Sequence, residues 1–477
     1  MAARPFRLTR PALFSARELE RIEGAALRIL EQVGIGVAHP ELAARAKRQG
    51  FRLEGGRVRL ARGQVARFLE EARGGKPAPR RQPAPKETEP ARLTMGVSIY
   101  PQSVHDPATD QVAPFTAARL VEATKLVDML GERGLQPGVP GCPVDVPPAL
   151  QVVRQYRIGA ENLRGWRGPV DAKALESLPY VMEMSEALGQ PLRGLPVYVF
   201  SPLKLAGESL SAVMALEERL HSVHVGSMPA AGATAPVRPA EAFASATAEV
   251  VGSALILGEC IKPEVHWSVG VDPFDLRGMA MSFGSPESLL FQMASSEVNA
   301  YLHGRPWWPA AGNVHTLAKL PGEQAAAEKA SIMTVGALLG ARGFGSAGTL
   351  SLDEVFSPVQ LLVDLEIKDH VERLLRGLDT ALDVEACVQD VQEGVGRGFV
   401  GLDRTLDQYQ RAYWHPRLFE RRFLGPWQAA SCPTLSRQAQ QMAQELVARH
   451  DYELAPDLRA EIERIYRRAE RELAGRR

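Results

Sequence analysis

The 477 residues include only four cysteines, Cys142, Cys260, Cys387 and Cys432, spread too widely for a disulfide framework or a paired zinc-ligand spacing. The cytoplasm is the expected setting. Net charge is also missing. Lys plus Arg and Asp plus Glu both number 56, so no bulk field draws the chain to nucleic acid or to an anionic membrane. Residues 1–90 hold 19 basic against 10 acidic side chains, but these are scattered over several predicted elements, as on a solvated surface. No run of about 18 uncharged apolar residues occurs, and MAARPFRLTRPALFSARELERIEG lacks the apolar core of a signal peptide, so no membrane segment is expected. The patterns HExxH, clustered CxxC, GxSxG, P-loop and GxGxxG between strand and helix are lacking too. GARGFGSAG is glycine-rich but meets none of these spacings, and His221 and His224 flank a strand start without further ligands nearby. No protein-bound metal, serine nucleophile or phosphate cradle is predicted.

What is present is an ordinary globular composition, 45% hydrophobic and 23% charged, at a length that suits one large domain with additions. From Ser15 to Gly34 apolar residues recur at helical spacing, and Ser15 with Glu18 matches a capping box. FRLEGGRVRL alternates around Gly55-Gly56 as a short hairpin does, and an amphipathic stretch follows at Gly63–Ala72. Gly74 to Pro90 is proline-rich and polar and reads as a linker, so residues 1–90 form an expected helical and hairpin cap.

Beyond the linker, eight short apolar or glycine-rich runs alternate with helical patterns. The runs are Leu93–Ile99, Gly134–Val139, Gly165–Asp171, Leu195–Phe200, Ser222–Ser227, Glu264–Val269, Arg305–Ala311 and Arg342–Gly348. Helical periodicity fills the gaps, as at Thr116–Leu130, Leu175–Leu188, Ala240–Leu257 and Glu323–Leu339. Spacings of roughly 27 to 42 residues predict an α/β fold, a (β/α)8 TIM-type barrel over residues 91–358, in preference to a doubly wound sheet. Residues 359–477 are expected to form a helical extension, with periodicity at 359–377 and 435–474, and the long terminal helices point to a homo-oligomer.

In such a barrel the site lies at the C-terminal strand ends. Those ends and the loops after them offer Tyr100, His105, Trp166, Tyr198, Phe200, His224, Met228, His266, Trp267, Trp307, Trp308, Asn313, His315 and Phe344. Four of the six tryptophans fall in this set although aromatics make up only 6% of the chain, which suggests an aromatic-walled cavity. Ring faces attract a poorly hydrated cation, and quaternary ammonium is the usual guest. Tyr100, Tyr198, Trp267, Trp308 and Phe344 are the candidate substrate box, with packing of barrel against helices as the competing reading for each. Trp307 and Trp308 are adjacent on a predicted strand, so at least one faces inward. His224, Asn313 and His315 are placed to orient a carboxylate or polar tail, and Glu354, just after the last strand, to balance the cation or bind the tail's partner group. Phe283-Gly284-Ser285-Pro286-Glu287 reads as a helix start, with Ser285 the cap and Pro286 the first helical residue.

Several segments carry a resemblance. They are ALRILEQVGIGVAHPEL with the hairpin after it, SMPAAGATAPVRPAEAFASATAEVVGSALI, FGSPE at Phe283–Glu287, KLPGEQAAAEKA at Lys319–Ala330 and GTLSLDEVFSPVQLLVDLEI at Gly348–Ile367. In this order they resemble the trimethylamine methyltransferase family in its wide sense, which includes glycine betaine methyltransferases that lack pyrrolysine. The resemblance implies a barrel enzyme that moves a methyl group from an amine to the cobalt of a corrinoid carried by a separate protein. Founding members place pyrrolysine in the barrel, whereas this chain has standard residues only. A quaternary ammonium already leaves as a neutral amine, so the expected donor is a glycine betaine-like quaternary amine and no general acid is required. In-line displacement then asks the protein to position the donor and exclude water.

Two rivals stand beside this. One is another barrel enzyme, a lyase or a methyltransferase with a different acceptor, in which His224 or His315 serves as general base. The other is a protein that binds quaternary ammonium without catalysis.

Overall fold

The computed structural model describes residues 12–74, 92–166, 168, 175–305 and 312–473. The first helix, Ala16–Gln32, starts where Ser15 accepts a hydrogen bond from the Glu18 amide while the Glu18 carboxylate accepts one from the Ser15 amide. It buries Ile22, Ala26 and Leu30, one side of the helix, against the long helix Pro239–Cys260. The expected hairpin forms between Arg52–Glu54 and Arg57–Arg59. Ile35–Val37 extends it on one edge and pairs in parallel with Lys204–Leu205 on the other, so the N-terminal segment is sewn to the middle of the chain. The expected linker falls mostly on residues 75–91, outside the described residues.

Six strands build the two main parallel arcs: β1 (Thr94–Val97), β2 (Gly194–Val199), β3 (Ser222–Ser227), β4 (Glu264–Ser268), β5 (Gly312–Asn313) and β6 (Gly343–Ala347). The arcs are β2-β3-β4 and β5-β6-β1. The second arc therefore joins the last predicted strand of the series to the first. The run Gly134–Val139 adds a single bridge, Leu135 to Met95, with the Met95 amide donating to Gly134 and the Gln136 amide to Met95. Pro137 has no N–H to continue the ladder. The runs Gly165–Asp171 and Arg305–Ala311 fall largely on residues outside the description. What the described residues establish is a mixed α/β fold with parallel arcs and helices between the strands.

The helices between strands lie close to their predicted spans, at Ala117–Met129, Leu178–Ala187, Pro239–Cys260 and Glu323–Leu338. Pro239–Cys260 is long and apolar enough to cross a bilayer, yet nearly all of it is packed inside the protein as a core helix. Among the described residues two large apolar cores result, beside a small cluster of Ala318, Ala325, Leu350 and Val355. One gathers the N-terminal elements with residues 178–302, and the other gathers residues 93–188 and 314–375 with the C-terminal helices. Those helices are Pro358–Leu375, Leu435–Ala448 and Pro456–Leu473. The stretch 435–474, periodic throughout in the sequence, is thus broken ahead of Pro456.

Candidate functional site

Strand alternation decides which side chains face the helices. In β2, Leu195, Val197 and Val199 are buried in the helical shell, while Pro196 and Tyr198 take the opposite, inner face. Register carries this across the arc: Val197 aligns with Val225 and Trp267, whereas Pro196 aligns with His224 and His266, and Tyr198 with Gly226 and Ser268. Trp267 is therefore a shell residue, correcting its place in the aromatic box. It stacks on His303 at 4.0 Å and tilts against Phe68 at 5.9 Å. Burial, then the Arg305 charge, pull His303 down to about 4, so the ring on Trp267 is neutral at pH 7 and the stack is apolar. Phe344 is corrected in the same way. It pairs in register with Met95 and lies against the helix Glu323–Leu338, where a Cβ added at Gly336 would come within 3.1 Å of its ring. Trp166 also packs in the shell, 5.9 Å from Tyr156. Trp308, like Trp307, lies outside the described residues.

Glycines open part of the inner face. A Cβ added at Gly96 or Gly226 would meet nothing within 4 Å. At Gly345 the exposed Asn313 side chain lies across the backbone, with Oδ1 2.1 Å from where a Cβ would stand, so a side chain added there would have to push Asn313 aside. Barrel interiors are ordinarily filled by layers of branched side chains. Here His224 and Tyr198 remain exposed on the inner face, Tyr198 by 46%.

Two predicted tyrosines meet at this face. The Tyr100 and Tyr198 hydroxyls lie 3.3 Å apart, joining the loop after β1 to the end of β2. The Tyr100 amide reaches Ser98 Oγ at 3.4 Å, and Ser98 hydrogen-bonds Asp353. Asp353 Oδ1 sits 3.2 Å from His315 Nε2, which also contacts Ser346 Oγ at 2.7 Å. The Phe283 ring stacks on the His315 imidazole at 4.7 Å. Burial raises the Asp353 carboxyl, but the His315 hydrogen bond and charge, Ser98 and Lys329 outweigh it, leaving Asp353 below the usual carboxylate range. Asp272, on Asp272–Asp275 just beyond β4, is pushed up to about 6 by burial, and the nearby His315 charge opposes the rise. His315 thus stands between two carboxylates of opposite tendency.

The remaining predicted residues divide. His224 bonds Ser268 Oγ at 2.9 Å across the β3–β4 register. Asn313 faces inward over Gly345, and its carbonyl accepts from Gln292 Nε2 at 3.5 Å. Glu354 is exposed and takes a 2.5 Å bond from Ser351 Oγ, which in turn accepts from Lys319. The acid that joins the His315 group is its neighbour Asp353. Strand-end counting reached this loop and named Glu354, one residue on from the carboxylate that meets His315; residues 351–354 form a turn, where no alternation tells which side chain faces the site.

Beneath His315 lies an ion pair that sequence reasoning missed. Lys329 and Asp364, both fully buried, meet at 2.7 Å. Lys329 Nζ also donates to the Ser346 carbonyl at 3.4 Å, and Asp364 accepts from the Gly348 amide and Gln360 Nε2, each at 2.7 Å. Ser346 is held at φ +63°, an uncommon conformation for a residue with a side chain, and that turn aims its hydroxyl at His315. Both ionic partners lie within the segments that carried the resemblance. Phe283 belongs to FGSPE, whose Ser285 does cap the helix Pro286–Leu302. Among the described residues no group of three His, Cys, Asp or Glu is arranged to hold a metal.

The family model "Trimethylamine methyltransferase (MTTB)" matches residues 4–474. The chain belongs to the trimethylamine methyltransferase family. Within that family it is 28% identical over 298 residues to trimethylamine methyltransferase MttB2 of Methanosarcina mazei, covering 60% of this chain and 59% of that protein's length. To a glycine betaine methyltransferase of Desulfitobacterium hafniense it is 24% identical, over 94% of both chains. Among solved structures, the monomethylamine methyltransferase of Methanosarcina barkeri aligns over 90% of this chain and 94% of its own, at 12% identity and a TM-score of 0.42, a likeness too loose to speak for the fold.

Proposed function

We propose that this family member is a methyltransferase that takes a methyl group from a quaternary amine and delivers it to a corrinoid on a separate protein. The two parallel arcs are then the visible parts of a closed (β/α)8 barrel at residues 91–358, with residues 1–90 as cap and 359–477 as helical extension. The observation that carries the reading is the Tyr100–Tyr198 pair on an inner face left open by glycine. Two phenol rings beside that space offer a cationic head its face contacts, and Asp353 and Asp272 supply negative charge close by. Trp308 belongs to the same box in this reading. The full-length alignment with a glycine betaine methyltransferase supports a quaternary donor.

The corrinoid, when docked, supplies the reduced cobalt nucleophile. This chain has only to leave the donor reachable, and the strand ends suit that: Phe200 and Met228 beside them are 55% and 61% exposed, an apolar rim on which a flat macrocycle can rest. Tyr100 and Tyr198 hold the N-methyl head, His315 and Asn313 orient its tail, and the shell keeps water out. The departing amine is neutral once the methyl leaves, so no proton donor is assigned. The setting is the cytoplasm, where four free thiols stay reduced.

The test incubates purified protein with a reduced corrinoid protein and a panel of glycine betaine, carnitine, proline betaine and choline, following the visible spectrum for loss of the reduced cobalt. Donor-dependent loss is expected, and Trp308→Ala should weaken donor binding by about 1–2 kcal/mol. Binding without any spectral change would favour the non-catalytic rival. A rate that titrates through the imidazole range and vanishes on His315 or His224 replacement would favour a general-base enzyme.

A further inference from the structure

The segment Gly377–Pro433 departs from the way the rest of the chain is packed. Its helices, Val384–Gly394, Asp403–Ala412 and Leu424–Ala429, bury no large side chain, and none of them packs extensively on another described element. Its base is fixed: Trp414 makes an edge contact with His370 at 5.1 Å, and Arg373 donates to the Ala412 carbonyl at 2.7 Å. Beyond that base, thirteen of the twenty-five exposed large apolar side chains among the described residues fall between Leu378 and Leu424, about a tenth of the chain. Val384, Val388, Val391 and Val395, spaced four, three and four apart, make one stripe, each 46–74% exposed.

We infer that this arm is a self-association surface, on which the valine stripe and the neighbouring Asp403–Ala412 helix dock against a second copy of this chain. Three observations choose that occupant. At the ~150–250 Å² of a whole aromatic side chain, Phe399, Tyr409, Tyr413 and Phe423 alone present roughly 400–600 Å², and nine exposed leucines and valines add to it, enough for the ~800 Å² per partner of a standard interface. A surface this apolar is the kind that permanent interfaces cover, whereas a partner that must come and go with each reaction cycle meets a more polar one. Part of the arm's charge is also satisfied internally, Arg404 on Asp390 at 3.3 Å and Arg397 on Glu393 at 2.9 Å, so the apolar stripe dominates what the arm presents. A second copy is always present at matching concentration and brings the same stripe.

The experiment is sedimentation of the full chain over a dilution series, with amide exchange of residues 384–412 recorded at each concentration. Wild type should sediment as a multiple of 52.0 kDa, with those amides losing protection as it dissociates. Val388→Glu combined with Val391→Glu, both at exposed positions, should keep the circular dichroism of wild type and raise the dissociation constant on the order of tenfold or more. A chain monomeric at micromolar concentration overturns the inference. So does a multimer in which the double variant associates as wild type, or in which these amides exchange at one rate throughout. Protection of the same amides by a corrinoid protein in a monomeric chain overturns it in favour of a docking surface for that partner.

Discussion

Replacing Lys329 by Met tests whether the buried pair holds up the His315 corner. Methionine fills nearly the same volume, so the packing loss is small, and what remains is a carboxylate at Asp364 with no exposure and no cation. Removing one member of a buried pair costs about 3–5 kcal/mol, a large fraction of the 5–15 kcal/mol that holds an ordinary domain. Asp364 would keep the bonds from the Gly348 amide and Gln360, which place the variant towards the lower part of that range. Burial also pulls the Lys329 ammonium below the usual lysine range, against the attraction of Asp364, so the wild-type pair already bears a desolvation cost that methionine does not. Adding Asp364→Asn removes the stranded charge. The new amide oxygen still accepts from Gly348, and with the Gln360 amide turned over, its buried Oε1, without a partner among the described residues, accepts from the new NH2, so the double variant should recover at least half of the loss. Guanidinium unfolding followed by tryptophan fluorescence reads all three proteins. A single variant within about 1 kcal/mol of wild type, or a double variant no better than the single, refutes the reasoning. Both variants should also transfer methyl slowly, since the Ser346 carbonyl loses the donor that steadies its left-handed turn.

Three further outcomes follow from the inner face. Gly226→Ala meets nothing within 4 Å, so unfolding should be unchanged or shifted up by about 0.5–1 kcal/mol while donor affinity falls, and a titration showing full affinity would mean that the guest sits elsewhere. Tyr198→Phe keeps the ring face and should bind a quaternary ammonium within about threefold of wild type, whereas Tyr198→Ala should lose about 1–2 kcal/mol by calorimetry; equal losses in both would assign the effect to the hydroxyl. Asp272 titrates near 6, so ammonium binding should tighten as pH rises through that value and become flat there in Asp272→Asn. Stability runs the other way: with the folded carboxyl raised from 3.8, the native state holds more protons than the unfolded chain between 3.8 and about 6, and stability falls as pH rises across that window. The asparagine variant should lack that fall.

Much of the architecture could be read beforehand because its signals are local. The capping box at Ser15, the hairpin around Gly55-Gly56 and the cap at Ser285 each depend on residues no more than seven apart, and all three are present. Five of the eight strand positions were also legible, since apolar runs between helices have few other uses. What could not be read was the facing of each strand. Trp267 and Phe344 were chosen for their proximity to strand ends, but a shift of one residue moves a side chain from the inner face to the shell, and only register settles it. The Lys329–Asp364 pair joins two helices 35 residues apart and has no periodic trace. The arm at 377–433 escaped notice for a different reason. Its apolar residues are spaced as a core would space them, with no core of their own chain to enter.

The wall facing the proposed guest is furnished at Gly96 and Gly226 by hydrogen atoms alone, so its capacity there is set by side chains that were never built. Shell and wall also alternate along each strand and can change independently. A relative could therefore retune which ammonium it accepts by growing a methyl or two inward, leaving the outward-facing residues, and hence folding, untouched. Selectivity in such a vessel is altered by furnishing the room, without moving its timbers.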